Sequence, residues 1–133
     1  MKVLDVGRAA DAAIAANASR PATAILHDSA DVRLVVFRIA PGQVVAPHRN
    51  GSTVALTVIS GRGLVLGEGG EQAVAQGETI VFEPNEQHGM RAEDSELVLL
   101  AAITPRPGTR RREEPETHAI ARAATGNRAG AES

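Results

Sequence analysis

Two of the four histidines stand in polar stretches bordered by turn residues, and they are the strongest candidates for chemistry in the sequence. His48 lies in the stretch PGQVVAPHRNG and His88 in the stretch PNEQHGM. Imidazole is a common metal ligand and a general acid or base near neutral pH, because its ordinary pKa is about 6.5. Asn50 adds an amide oxygen two residues after His48. These residues predict either a ligand-binding pocket or a metal site.

Apolar side chains accompany these polar groups at the spacing of β-strands. Successive side chains on a strand point to opposite faces, so Val54 shares a face with Leu56, and His88 shares a face with Met90. A mostly apolar cup with a few convergent polar groups is the usual form of a small-molecule pocket. The predicted pocket residues are His48, Asn50, Val54, Leu56, His88 and Met90.

The elements that position these residues are predicted to be strands. Runs rich in β-branched residues alternate with glycine, proline and asparagine turn signals, which is typical of a sandwich or barrel. The predicted strands are Ala22–His27, Asp31–Ala40, Thr53–Ser60, Arg62–Glu68, Glu71–Gln76, Glu78–Phe82, Gln87–Ala92 and Glu96–Ile103. Before them, the alanine-rich segment from Arg8 to Ala18 predicts a short helix that packs on the outside and ends before Pro21.

Three regions follow from this pattern. Residues 1–21 form a helical segment, residues 22–108 a barrel domain, and residues 109–133 a charged tail without a sustained hydrophobic period, which we expect to be flexible. Two of the predicted strands, VRLVVFRIA and LVLLAAI, are apolar on both faces. Their outer faces require a cover, either another layer of this chain or a second subunit, and we therefore expect a homodimer.

Composition excludes several classes of protein. The chain has 133 residues and a formal charge of −2, and aromatic residues make up only 2%, so one domain with an aliphatic core is expected. The absence of cysteine excludes disulfides and thiolate sites and suits a reducing compartment, so we expect a cytoplasmic protein. The sequence contains no apolar run of the roughly 20 residues that cross a membrane. Between Glu68 and Glu96 acidic residues outnumber the single Arg91, which argues against a nucleic-acid partner.

The residues around the two histidines resemble the cupin superfamily, also called RmlC-like, whose signature is a pair of such motifs on a small double-sheet barrel. In the first stretch Gly42, His48 and Gly61 match that signature, and in the second Gly77 and His88 match it. The resemblance covers roughly residues 31 to 108. It implies an all-β double-stranded β-helix, or jelly-roll barrel, with the short helix before it.

The resemblance also implies a metal site, and here the sequence departs from the family pattern. Asn50 stands where the family has a second histidine, and Val54 where it has a metal-binding glutamate. Transition metals in such sites usually take three or four protein ligands, whereas His48 and His88 alone remain, with Asn50 as a weaker third candidate. We therefore expect no metal cofactor, with a divalent Fe, Mn, Ni or Zn ion as the alternative.

Three functions stay open at this point. The first is a small-molecule-binding protein whose pocket has lost part of the metal centre. The second is a metal-dependent enzyme of the dioxygenase, isomerase or lyase type that uses His48 and His88 as ligands. The third is a dimeric interaction module with an inert cup. Fold alone does not decide among them.

Overall fold

A computed structural model describes residues 1–108, and the predicted tail lies outside the described residues. The described part of the chain contains one helix and nine strands. Their bounds are α1 Val6–Ala12, β1 Ala22–Asp28, β2 Arg33–Ile39, β3 Val44–His48, β4 Thr53–Ser60, β5 Arg62–Gly67, β6 Gly70–Ala75, β7 Thr79–Phe82, β8 His88–Ala92 and β9 Leu97–Thr104. Residues 1–108 include no helix long and apolar enough to cross a membrane.

The strands form two antiparallel sheets, which confirms the predicted all-β double-sheet barrel. The first sheet has the order β1-β2-β9-β4-β7, and the second has the order β3-β8-β5-β6. Non-consecutive neighbours such as β2 and β9 mean that the chain crosses repeatedly between the sheets. The histidine-bearing strands β3 and β8 are neighbours in the second sheet.

The main core lies between the sheets and is aliphatic, as the composition predicts. On β4 the buried positions alternate with partly buried ones, so Val54, Leu56 and Val58 face the core together. Leu97 and Leu99 of β9 are fully buried in the same cluster. Each such side chain contributes about 1.5–3 kcal/mol through removal of its surface from water.

A second, smaller core covers the outer face of the first sheet. Ala10 of α1 packs with Val36 of β2 and Val98 of β9, and all three residues are buried. Part of the apolar outer face therefore obtains its cover from the helix of the same chain. The predicted homodimer is a separate expectation, which this contact does not test.

The helix is shorter than the alanine content predicts, and the predicted range from Arg8 to Ala18 is wrong. It begins after Asp5, whose side chain accepts a hydrogen bond from Arg8 N at 2.9 Å, and it ends at Ala12. Ile14 then forms an antiparallel bridge with Thr23 through two backbone hydrogen bonds of 3.0 and 3.1 Å. Pairing with β1 thus overrides helix propensity well before Pro21.

β3 is absent from the predicted strands because Pro47 interrupts its short apolar run. Its pairing with β8 shifts between Val45 and His48, so Ala46 and Pro47 form a bulge opposite Gly89. A Cβ atom on Gly89 would lie 2.7 Å from Val45 O and 2.9 Å from Pro47 N. The missing side chain of Gly89 therefore allows β3 to approach β8 closely enough to pair.

Candidate functional site

The structure brings the two predicted histidines into contact. His48 ends β3, His88 begins β8, and the two residues are directly opposite each other in the antiparallel ladder. Their ring centroids are 4.3 Å apart, and the ring planes meet at 64°. Two residues separated by forty positions in the sequence therefore form one imidazole pair, defined here as His48 and His88.

Backbone carbonyl groups hold both rings in the same way. His48 Nδ1 lies 3.0 Å from Ala46 O, and His88 Nδ1 lies 3.1 Å from Glu86 O. A carbonyl oxygen only accepts hydrogen bonds, so we assign the ring hydrogen of each neutral imidazole to Nδ1. Each Nε2 then carries a lone pair that can accept a hydrogen bond or bind a cation.

Neither Nε2 atom makes a hydrogen bond with the described residues. His88 is only 5% exposed, yet among residues 1–108 the one fully buried side-chain nitrogen or oxygen without a partner is Arg38 Nε. The Nε2 atom of His88 therefore keeps some accessible surface. The imidazole pair offers two lone pairs, one on the exposed His48 and one on the buried His88.

The surroundings of His88 favour its neutral form. Burial lowers the pKa of His88 and is the largest effect on it, while the hydrogen bond to Glu86 O raises the pKa and nearby His48 lowers it. The ring of Phe82, which is itself buried, lies 5.3 Å from the His88 ring. An imidazole in this environment acts as a hydrogen-bond acceptor at neutral pH.

The predicted apolar lining lies in the main core. Val54, Leu56 and Met90 are 2–3% exposed and belong to the cluster between the sheets. Val54 lies directly opposite Phe82 in the pairing of β4 with β7, so position 54 adjoins the residue that contacts His88. The contact of these three side chains with a ligand stays a prediction.

Asn50 is engaged in the loop that follows β3. Its side-chain Oδ1 accepts a hydrogen bond from Ser52 N at 2.9 Å, and its backbone O accepts one from Asn85 N at 2.7 Å. The amide oxygen that was predicted to face a ligand or a metal thus already stabilises a turn of the backbone. Its direct contact with a ligand stays a prediction.

The described residues do not fit a complete metal centre. Within residues 1–108 no group of three or more His, Cys, Asp or Glu side chains is placed to hold an ion. The imidazole pair supplies two nitrogen donors, whereas such ions usually take three or four protein ligands. The neighbouring position 54 holds an aliphatic side chain instead of a carboxylate.

A clamp that the sequence did not predict fastens the loops beside the imidazole pair. We define it as Arg49, Glu68, Asn85 and Gln87. Arg49 Nη1 forms an ion pair with Glu68 and donates a hydrogen bond to Asn85 O at 3.0 Å. Gln87 N donates to the same Glu68 carboxylate at 3.1 Å.

The clamp joins the residue after His48 to the residue before His88. The hydrogen bonds from Arg49 and Gln87 N lower the pKa of Glu68 and keep it charged. Arg49 directly follows β3, and its partners Glu68 and Asn85 lie 19 and 36 residues away in the sequence. No local pattern identifies such distant partners.

Comparison with known proteins supports the fold. Residues 35–104, more than half of the chain, match the family model of the cupin domain. No curated protein matches the sequence.

Solved structures agree with that match. An uncharacterized conserved protein with a double-stranded β-helix domain from Klebsiella pneumoniae is 21% identical with a TM-score of 0.68, over 79% of this chain and 90% of its own. The protein TT1209 from Thermus thermophilus is 25% identical with a TM-score of 0.71, over 80% of this chain and 100% of its own. KdgF from Halomonas sp. is 20% identical with a TM-score of 0.65, over 71% of this chain and 87% of its own. Likeness at this level of identity carries the fold and not the activity.

Proposed function

The chain belongs to the cupin family, and on that premise we propose that it binds a small molecule at the imidazole pair. The observation that carries the proposal is the pair of Nε2 atoms, which have no partner among the described residues and lie on rings in contact. Two adjacent acceptors suit a ligand that presents hydroxyl or amide hydrogens. The carbonyl groups of Ala46 and Glu86 fix the ring hydrogens on Nδ1, so both acceptors are preorganised.

The test is a thermal-shift screen of hydroxyl-bearing and amide-bearing small molecules against the full chain. Compounds that bind the folded state raise the melting temperature in proportion to RT ln(1 + [L]/Kd). We expect the active compounds to lose their effect on His48→Ala and on His88→Gln. His27→Ala is the matched control, because His27 lies on β1 and contacts Lys2 instead of another imidazole.

Equal stabilisation of the wild type and both imidazole variants would exclude the imidazole pair as the binding site. Because His88 is buried, His88→Gln is first compared with the wild type by circular dichroism. If that variant unfolds, the exposed His48→Ala decides the question alone, since His48 has few packing contacts to lose.

A metal-dependent cupin enzyme is the second candidate, and one observation favours it. Histidines that bind metals almost always donate the other ring N–H to a carbonyl or carboxylate group, as His48 and His88 do. The missing third ligand among residues 1–108 weighs against it. Elemental analysis of the protein purified without an affinity tag separates the two candidates. A stoichiometric transition metal that disappears in both His48→Ala and His88→Gln would replace the first proposal with the second.

A further inference from the structure

A cleft of about 520 Å³ lies between the free edges of the two sheets, apart from the imidazole pair. β1 is the edge strand of the first sheet and β3 the edge strand of the second. Arg20 and Thr23 line the cleft from the side of β1, Phe37 lines it from β2, and Val44 and Val45 line it from β3. Pockets for small molecules commonly have volumes of about 300–1,000 Å³, so this seam cleft has a suitable size.

The seam cleft differs from two other cavities in its charge. Among residues 1–108, Arg20 is the one charged residue that lines the cleft, and none of these lining residues is acidic. Arg20 also borders a cavity of about 180 Å³, but that cavity holds Arg38 together with its ion-pair partner Glu96. A third cavity of about 350 Å³ is lined by one arginine and two glutamates. The seam cleft is therefore a local positive site on a chain whose net charge is −2.

The guanidinium group of Arg20 has no ion-pair or hydrogen-bond partner among the described residues, whereas five other arginines pair with carboxylates. Its backbone, in contrast, is firmly held. Gln43 Nε2 donates to Arg20 O at 3.2 Å and to Ala18 O at 2.8 Å, and Arg20 N donates to Asn17 O at 3.1 Å. The Gln43 side chain thus ties the segment before β1 to the turn between β2 and β3. Arg20 is anchored at the cleft wall with its charged end available.

The rest of the lining complements that charge. The hydroxyl group of Thr23 makes no hydrogen bond with the described residues and can donate one. Phe37 is one of two aromatic residues in the chain and packs partly against the core. Val44 is 44% exposed, and Val45 is half-buried beside it. An apolar wall thus lies in the same cleft as a guanidinium group and a free hydroxyl group.

We propose that the seam cleft binds a small molecule with one carboxylate and an apolar body. The carboxylate pairs with the Arg20 guanidinium, whose fork of N–H groups matches the two carboxylate oxygens, and accepts a hydrogen bond from Thr23. The apolar body covers Phe37, Val44 and Val45. This site goes beyond the proposed function, because it adjoins the imidazole pair only through Ala46, whose carbonyl holds His48.

The test uses hexanoate and its neutral counterpart hexanamide as probes of the full chain. We expect isothermal titration to show that hexanoate binds about tenfold more tightly than hexanamide, because a charge-assisted bond is roughly twice as strong as a neutral one. Arg20→Gln is expected to reduce the affinity for hexanoate to that for hexanamide. Arg8→Gln is the matched control, since Arg8 lies on α1, has no ion pair among the described residues and does not line the cleft.

Amide NMR spectra locate the bound probe. Shifts at Thr23, Phe37 and Val45 that vanish in Arg20→Gln are expected. Four results would each overturn the proposal. They are equal binding of hexanoate and hexanamide, undiminished binding by Arg20→Gln, shifts centred on His48 and His88, and no binding of hexanoate. Only shifts centred on His48 and His88 would bear on the imidazole pair, because they would place hexanoate there; the other results leave that pair to the independent test by His48→Ala and His88→Gln.

Discussion

β3 and β8 carry the two imidazoles of the pair, but the two strands have opposite surroundings. β8 lies between β3 and β5, and four of its five residues are buried. β3 is an edge strand, and four of its five residues are exposed. The core therefore holds His88 directly, whereas the position of His48 depends on how well β3 is fastened to β8.

This difference assigns distinct roles to two nearby features. Gly89 sets the distance between the strands, because its missing side chain admits the backbone of Val45 and Pro47. The clamp around Arg49 and Glu68 fixes the loops that leave the ends of the pair. Variants at these positions therefore test whether the core holds His88 directly and whether the position of His48 depends on the edge strand β3.

The largest expected effect is that of Gly89→Ala, which breaks the contact between the two strands. The new Cβ atom would meet backbone atoms at 2.7 and 2.9 Å, and backbone atoms cannot move aside as a flexible side chain can. We expect the free energy of unfolding in urea to fall by about 2–4 kcal/mol, in the range of strongly destabilising substitutions. Gly69→Ala is the control, because a Cβ atom there meets nothing within 4 Å. Equal stability of the two variants would contradict the role of Gly89.

A carboxylate introduced at position 54 tests whether this core position faces the imidazole pair. The double variant Asn50→His with Val54→Glu restores the ligand types of the family pattern, and position 54 adjoins Phe82 beside His88. Burial of the glutamate destabilises the protein. Binding of Ni²⁺ or Zn²⁺ is expected to raise the free energy of unfolding of this variant by about 2.7 kcal/mol at a metal concentration of 100 Kd.

The control for that variant is Asn50→His with Val58→Glu. Val58 is buried on the same face of β4 but lies four residues further along the strand. We expect the control to be destabilised without rescue by metal, as followed by thermal unfolding. Equal rescue of both variants, or of neither, would show that position 54 does not face the imidazole pair.

The pH dependence of stability distinguishes the two histidines. The pKa of His88 is lower in the folded chain than its ordinary value of 6.5, so the unfolded chain binds more protons between these two values. The free energy of unfolding therefore decreases as the pH falls below about 6.5. Urea unfolding between pH 8.0 and pH 5.5 is expected to show this slope in the wild type and to lose it in His88→Gln. His48→Gln removes only the smaller part that its charge contributes, and an unchanged slope in His88→Gln would refute the assignment.

The smallest expected effect on stability is that of Glu68→Gln in the clamp. Exposed ion pairs contribute little to stability, so the main change is local. We expect faster hydrogen exchange at the amides of Asn85 and Gln87, with the melting temperature almost unchanged. Glu71→Gln is the control, because the exposed pair of Glu71 with Arg91 has no loop amide bound to it. Equal exchange rates in both variants would show that the clamp does not hold the loops.

Local sequence signals predicted most of the barrel. β-branched runs and turn residues located eight of the nine strands, because glycine and proline mark turns independently of distant contacts. β3 was not predicted, because proline is unfavourable within a strand and because the pairing of β3 depends on Gly89, which lies forty-two residues after Pro47. The end of α1 was predicted wrongly for a similar reason, because it depends on the pairing of Ile14 with Thr23, nine residues later.

The candidate site likewise combines features that the sequence predicted with features that depend on distant contacts. The motif positions of His48 and His88 indicated that the imidazoles would converge, and the structure brings them together. The clamp and the seam cleft were not predicted, because each is built from segments far apart in the chain. Asn50 and Gly51 were predicted to form a turn, but the hydrogen bond that Asn50 Oδ1 accepts from Ser52 N within that turn was not predicted.

The bulge at Ala46 and Pro47 also affects whether another strand can pair with the free edge of β3. An uncovered strand at a sheet margin is a template on which a foreign chain can continue the ladder. Pro47 carries no amide hydrogen, and the bulge breaks the regular spacing of the neighbouring donors and acceptors. A stray segment that docks there gains a short and interrupted ladder. The sheet edge that carries His48 is therefore a poor template for pairing with another chain.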